Sequence, residues 1–279
     1  MFQHVVVAAH FGSAAPALLR SIQQLKKQGT REFTLVDVLR SHDPESGDEA
    51  QRQAVQRRLE ETRDRLKDEQ TTVHVELRIG QPAHELSTLA RAREADLIVL
   101  GSRGESAFRE FLRGSTVLQL ARKTTTPLLI EPVDTEGASV TDFSSLLLAT
   151  DFSDSATAAE DMALRLAPAA SHVIFAHVVD HDAVEDEGEA EATRHAEERL
   201  AALAGRVSGG DATIDKRLGR GTPSQQIRQL ADDSNTGLII IGKRGNSPVR
   251  ELMLGSTTAA MVRRTTRPLL IVPTPRRGI

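Results

Sequence analysis

Leu238-Ile239-Ile240-Ile241-Gly242-Lys243-Arg244-Gly245, continued by Gly255-Ser256-Thr257, repeats a stretch that occurs 141 residues earlier as Leu97-Ile98-Val99-Leu100-Gly101-Ser102-Arg103-Gly104 and Gly114-Ser115-Thr116. Each copy is an apolar run that stops at a glycine, and both read G-x2-G-x9-G-S-T. An unbroken apolar run of this length predicts a parallel strand covered on both faces. The glycines that follow are free to take positive φ and to let a ligand approach the backbone. Behind Gly114-Ser115-Thr116, the stripe Val117, Leu120 and Ala121 predicts a helix that starts there. A helix start offers unbonded N–H groups, partial positive charge and two hydroxyls to whatever lies between the glycines. Arg103 in the first copy and Lys243-Arg244 in the second add charge, so the expected guest is a phosphate group. Glycines after a strand also serve as plain turns, and one short glycine pattern is weak. Two copies at identical spacing favour phosphate.

Composition narrows the classes. A chain of 279 residues suggests one or two domains, and the repeat says two. A net charge of −4 gives no electrostatic footprint for nucleic acid. There is no cysteine, hence no disulfide, thiolate nucleophile or cysteine metal site, which fits a reducing compartment. The N-terminus enters a strand-like run at once, without the regions of a signal peptide, so a cytoplasmic protein is expected. No apolar run approaches the roughly 20 residues of a membrane span. Tryptophan and tyrosine are absent, leaving phenylalanine or histidine for any stacking.

Along the first half, Val5–Ala9 and Phe33–Val38 read as strands, with a helix over about Ala14 to Gln28 between them, stopped by Gly29. A polar loop, Ser41 to Gly47, precedes a helix over Glu49–Lys67 carrying Val55, Leu59, Thr62 and Leu66. Val73, Val75, Leu77 and Ile79 alternate with polar residues, a half-exposed strand, and Pro82 opens a helix. The strand at Leu97, the glycine loop, the helix after Gly114 and the strand Pro127–Ile130 complete the half. Five strands alternating with four helices predict an α/β domain with a parallel sheet. The second half repeats the layout, with His10 matched by Asp151, Pro82 by Pro223 and Pro127 by Pro268. In it, Ala192, Ala196, Leu200, Leu203 and Val207 form a helical stripe, Thr222 is the expected cap before Pro223, and Asp180–Glu191 is an acidic loop or frayed helix start. The domains are therefore residues 1–133 and 143–279, joined by a linker at 134–142.

At these glycine patterns, and at Ala149-Thr150-Asp151-Phe152-Ser153, the chain resembles the universal stress protein family, as two domains in tandem over nearly its whole length. The resemblance implies flavodoxin-like (adenine nucleotide alpha hydrolase-like) domains, each a five-stranded parallel sheet in the order 3-2-1-4-5. It implies an adenine nucleotide, ATP or AMP, with Mg²⁺ accompanying ATP. Adenine would lie near Thr150, Asp151 and Val178. The phosphates would lie on Gly242, Lys243, Arg244, Gly245, Gly255, Ser256 and Thr257, and in the first half on Gly101, Arg103, Gly104, Gly114, Ser115 and Thr116. It further implies a stress-response role, a homodimer of tandem chains and an unidentified protein partner, with no nucleic acid and no membrane span. The first half departs from the family pattern: His10 stands where the second has Asp151, which removes a carboxylate acceptor, so the second site is expected to bind more tightly.

Other patterns carry less. Ser208-Gly209-Gly210-Asp211 resembles a pyrophosphatase loop with the Asp one place early, and reads as a turn. No P-loop is present, no histidine cluster suggests a metal, and His195 belongs on a solvated helix face. Three functions are compatible with these residues. The first is a nucleotide-binding regulator with at most weak ATP hydrolysis. The second is a slow ATPase or nucleotidyl transferase using Ser256, Lys243 and a metal. The third is a nucleotide-free interaction module.

Overall fold

The computed structural model describes residues 2–9, 15–40, 49–102, 115–132, 141–179, 188–245, 253–264 and 266–274. The chain divides into two compact units, Met1–Val140 and Thr141–Ile279. Arg103, Gly104, Gly114, His10, the loop at 41–48 and the acidic run at 180–187 lie outside the described residues.

Unit one runs β1 (His4–Ala8), α1 (Ala15–Lys27), β2 (Glu32–Leu39), α2 (Glu49–Leu66), β3 (Thr72–Ile79), α3 (Pro82–Ala92), β4 (Leu97–Gly101), α4 (Ser115–Lys123) and β5 (Leu128–Glu131). Its strands lie in the order β3-β2-β1-β4-β5, every neighbouring pair parallel. Unit two runs β6 (Ser145–Ala149), α5 (Thr157–Leu166), a 3-10 turn at Ala167–Ala169, β7 (His172–Val179), α6 (Glu189–Ala204), β8 (Thr213–Arg220), α7 (Pro223–Asp233), β9 (Leu238–Gly242), α8 (Ser256–Arg264) and β10 (Leu269–Val272). Its order is β8-β7-β6-β9-β10, again all parallel. This is the expected 3-2-1-4-5 layout, twice. In each unit the chain winds outward one way over the first three strands and the other way over the last two. The reversal falls between β1 and β4, and between β6 and β9. In doubly wound sheets the crevice beyond the strand carboxyl ends at such a reversal is where ligands bind.

The unbroken apolar runs are central strands, as their composition demands. Val5, Val6, Leu97, Ile98 and Val99 are buried in unit one, and Leu146, Leu147, Leu238, Ile239 and Ile240 in unit two. The duplication extends to single hydrogen bonds. Ala9 N donates to Val36 O at 2.8 Å and Thr150 N to Ala176 O at 3.0 Å. Ser102 N donates to Glu131 O at 2.7 Å and Lys243 N to Val272 O at 2.8 Å.

Some expectations are corrected. Only Val73 of the alternating set on β3 is buried, and Ile79 is 45% exposed, because β3 borders its unit's sheet and has one neighbouring strand within it. Val207 lies past the end of α6, which closes at Gly205. Thr222 occupies the cap position of α7, but its side chain makes no cap bond. Gly221 ahead of it takes φ +101, which carries the chain from β8 into the helix. Among the described residues no helix is long and apolar enough to cross a membrane.

Candidate functional site

In unit two the carboxyl ends of β6 and β9 are neighbours, since Ala149 pairs with Ile241. The segments leaving the two strands are therefore juxtaposed: Thr150-Asp151 after β6, and Gly242-Lys243-Arg244-Gly245 at the end of β9. Asp151 is exposed, and its carboxylate rests against Gly245. A Cβ added at Gly245 would overlap Asp151 Oδ2 and stand 3.1 Å from Cγ. At Gly242 an added Cβ would meet Arg244 O at 3.0 Å, with Ala156 Cα and Ser155 O at 3.5 Å. None of Gly242, Gly245 and Gly255 has φ in the left-handed region, which corrects the expectation for this loop. Gly242 and Gly245 are required for space rather than for handedness.

The start of α8 closes the other side. Gly255 N donates to Lys243 O at 3.1 Å, and a Cβ on Gly255 would lie 3.4 Å from Arg244 Cα, an ordinary contact. The amides of the first turn of α8, led by exposed Ser256 and half-buried Thr257, have no acceptor within the helix. Lys243 is buried, 6% exposed, while Arg244 is half-buried. The Arg244 Nε is buried and meets no hydrogen-bond partner among the described residues. A buried, unbonded guanidinium nitrogen beside a helix N-terminus is an environment that an anion would relieve.

The turn after β6 is tightly built. Thr150 Oγ1 donates to buried Glu160 Oε1 at 2.6 Å and accepts from Phe152 N at 2.9 Å. Phe152 takes φ +58, a conformation that costs a non-glycine residue about 1–2 kcal/mol. Contacts on three sides hold it there. Arg199 Nη2 donates to Phe152 O at 2.9 Å with the guanidinium carbon 4.6 Å from the ring centroid, and the His177 ring lies 5.0 Å away. His177 Nδ1–H in turn donates to Thr150 O at 2.8 Å. Burial holds the His177 pKa below the ordinary histidine value, outweighing the bond to Thr150 and the Asp151 charge. Half-buried Val178 comes next on β7, where its Cγ2 would be 3.3 Å from a Cβ at Gly219.

Unit two thus brings Thr150, Asp151, Gly242, Lys243, Arg244, Gly245, Gly255, Ser256 and Thr257 to one crevice, with Val178 on the next strand. In unit one, Gly101 ends β4 and Ser115 opens α4, and Thr116 Oγ1 accepts from Arg40 Nη2 at 3.4 Å. The sequence reading missed Glu160, Arg199, Ser155, Thr258 and Thr274. Their partners lie from 10 residues away, for Glu160, to 119, for Thr274, and no local pattern marks them.

The model of the universal stress protein family matches residues 1–132 and again 143–273. The chain belongs to the universal stress protein family. It is a tandem universal stress protein, with one family match in each unit. Universal stress protein Slr1230 of Synechocystis is 26% identical over 176 residues, 63% of this chain and 57% of that protein. Universal stress protein MJ0577 of Methanocaldococcus jannaschii is 33% identical over 52 residues, 19% of this chain and 32% of that protein. These matches thus span about a third to just over half the length of those relatives. Among solved structures, a universal stress protein from Archaeoglobus fulgidus superposes with a TM-score of 0.73 at 21% identity, covering 99% of this chain and 97% of that one. At that identity the likeness speaks for the tandem fold alone.

Proposed function

We propose that unit two holds an adenine nucleotide, ATP or AMP, in the crevice between the ends of β6 and β9, and that the protein regulates a stress response through nucleotide occupancy. The observation that carries this reading is the convergence at the strand-order reversal. Asp151 stands on one side, and Gly242 and Gly245, Arg244 with its unbonded Nε and the start of α8 stand on the other. The donor set suits phosphate, and a carboxylate suits a ribose hydroxyl or adenine amine. Asp151, Thr150 and Val178 would contact the nucleoside. Gly242, Lys243, Arg244, Gly245, Gly255, Ser256 and Thr257 would surround the phosphates. With ATP, Mg²⁺ would arrive as the nucleotide's counter-ion, held mainly by phosphate oxygens. Unit one, with Gly101, Ser115 and Thr116 at matching places and His10 instead of Asp, would bind more weakly. A homodimer of tandem chains in the cytoplasm, acting on a protein partner, completes the reading.

The test is to denature the purified protein, identify any released nucleotide by mass spectrometry and count moles per chain. About one adenine nucleotide per chain supports a working second site, and about two means that unit one is also occupied. If none is released, a thermal-shift titration is made, because AMP or ATP at 100 times Kd adds about 2.7 kcal/mol of stability. No release and no shift would overturn the reading. Steady phosphate release with kcat of order 1 s⁻¹, lost in Ser256→Ala, would replace it with an enzyme.

A further inference from the structure

The glycine loop of unit two is gripped from outside by hydroxyls. Ser155, in the turn between β6 and α5, donates from Oγ to Gly245 O at 3.1 Å. Its own carbonyl accepts from Thr274 Oγ1, beyond β10, at 3.2 Å. At the other end of the loop Thr258 Oγ1, in the first turn of α8, donates to Gly242 O at 2.9 Å, and that bond is buried. Asp151 joins the same set: Ser153 Oγ donates to Asp151 Oδ1 at 2.7 Å and lies 3.3 Å from Ser155 Oγ. The β6 turn, the β9 loop, the α8 start and the segment after β10 are thus tied together through the carbonyls of Gly242, Gly245 and Ser155.

We propose that Ser155 is a positioning residue for phosphate: its hydroxyl, backed by Thr274, latches the Gly245 carbonyl and presets the glycine loop for an anion. The proposal rests on the nucleotide reading and says which group prepares the site. Gly242 and Gly245 have no side chains with which to hold the two ends of this segment, so an unlatched loop loses entropy when a ligand orders it. A carbonyl oxygen left loose beside a phosphate would also repel it. Holding Gly245 O on Ser155 removes both penalties before the ligand arrives. The two halves of the chain differ at every position of this latch. In unit two the hydroxyls are Ser153, Ser155, Thr258 and Thr274, whereas the 141-residue offset places Gly12, Ala14, Val117 and Val133 in unit one. At that offset the sequence of unit one has none of the four hydroxyls.

The experiment compares the parent with Ser155→Ala and Ser155→Thr on two readouts. The first is titration with AMP and with adenosine. The second is hydrogen exchange of the Arg244 and Gly245 amides without ligand. Loss of one neutral hydrogen bond should weaken AMP binding of Ser155→Ala by about three- to tenfold. Adenosine binding should stay within about twofold, since the latch acts on the phosphate side. The two amides should exchange faster by a factor like that for AMP, and Ser155→Thr should restore both. Unchanged AMP affinity and unchanged exchange in Ser155→Ala would overturn the latch. Equal weakening of AMP and adenosine without rescue by Thr would reduce Ser155 to a structural residue, which also overturns it. If the parent binds no nucleotide while exchange still accelerates in Ser155→Ala, the nucleotide reading has failed and the phosphate role of Ser155 falls with it, although its hold on the loop is real.

Discussion

Gly245→Ala isolates the contact on which unit two's site turns. The added methyl would overlap Asp151 Oδ2 and stand 3.1 Å from Asp151 Cγ, so the carboxylate must swing away. Asp151 is not loose: its Oδ1 accepts from Ser153 N at 3.1 Å and from Ser153 Oγ at 2.7 Å. Both bonds are solvent-exposed, so each is valued at about 0.5–1 kcal/mol rather than at the figure for a buried charge. Displacing the carboxylate therefore costs about 1–2 kcal/mol of folding stability. Nucleotide affinity should fall by about tenfold or more, the equivalent of one lost carboxylate contact at 1.4 kcal/mol per decade. Urea denaturation and calorimetric titration with AMP measure the two effects. The decisive control is the same substitution in an Asp151→Ala background, where the clashing atoms are gone. There Gly245→Ala should cost less than about 0.5 kcal/mol, giving a coupling energy of at least about 0.5 kcal/mol. Gly255→Ala should be milder in the parent, because its methyl would meet Arg244 Cα at an ordinary 3.4 Å. A Gly245→Ala cost that is the same with and without Asp151 would refute the reasoning.

Two further outcomes are expected. Thr150→Val removes the donor to buried Glu160 Oε1 and the acceptor of Phe152 N, and should cost about 1–3 kcal/mol in urea denaturation; Thr150→Ser keeps the hydroxyl and should lose less than half of that. For His177 the folded pKa is depressed by burial, so the unfolded chain binds the proton more readily. Stability should therefore rise with pH through this window and be lost as pH falls below the ordinary histidine value. His177→Asn, which can still donate to Thr150 O, should flatten the thermal-denaturation profile there, and an unchanged slope would remove His177 as its source.

The sequence by itself determined most of the architecture. Apolar runs ending in glycine, the 3.6-residue stripes and the prolines at Pro82 and Pro223 are local signals, and each marks an element found close to where it was expected. The duplication needed only the chain compared with itself. The order 3-2-1-4-5 came from the family resemblance rather than from these signals, because strand adjacency is a property of distant pairing. The candidate site was legible as residue types near Gly242 and Asp151 but not as a geometry. The glycines were read for positive φ and for close approach of a ligand to the backbone, and the structure shows that the protein's own atoms take the room, Asp151 against Gly245 across the strand-order reversal and Arg244 O against Gly242. Ser155 meets Gly245 across 90 residues of chain and Thr274 across 119, and neither bond has a local sequence signature. Periodicity records which face of an element is buried. Only the packed sheet decides which loop ends share a crevice, and therefore which hydroxyl holds which carbonyl.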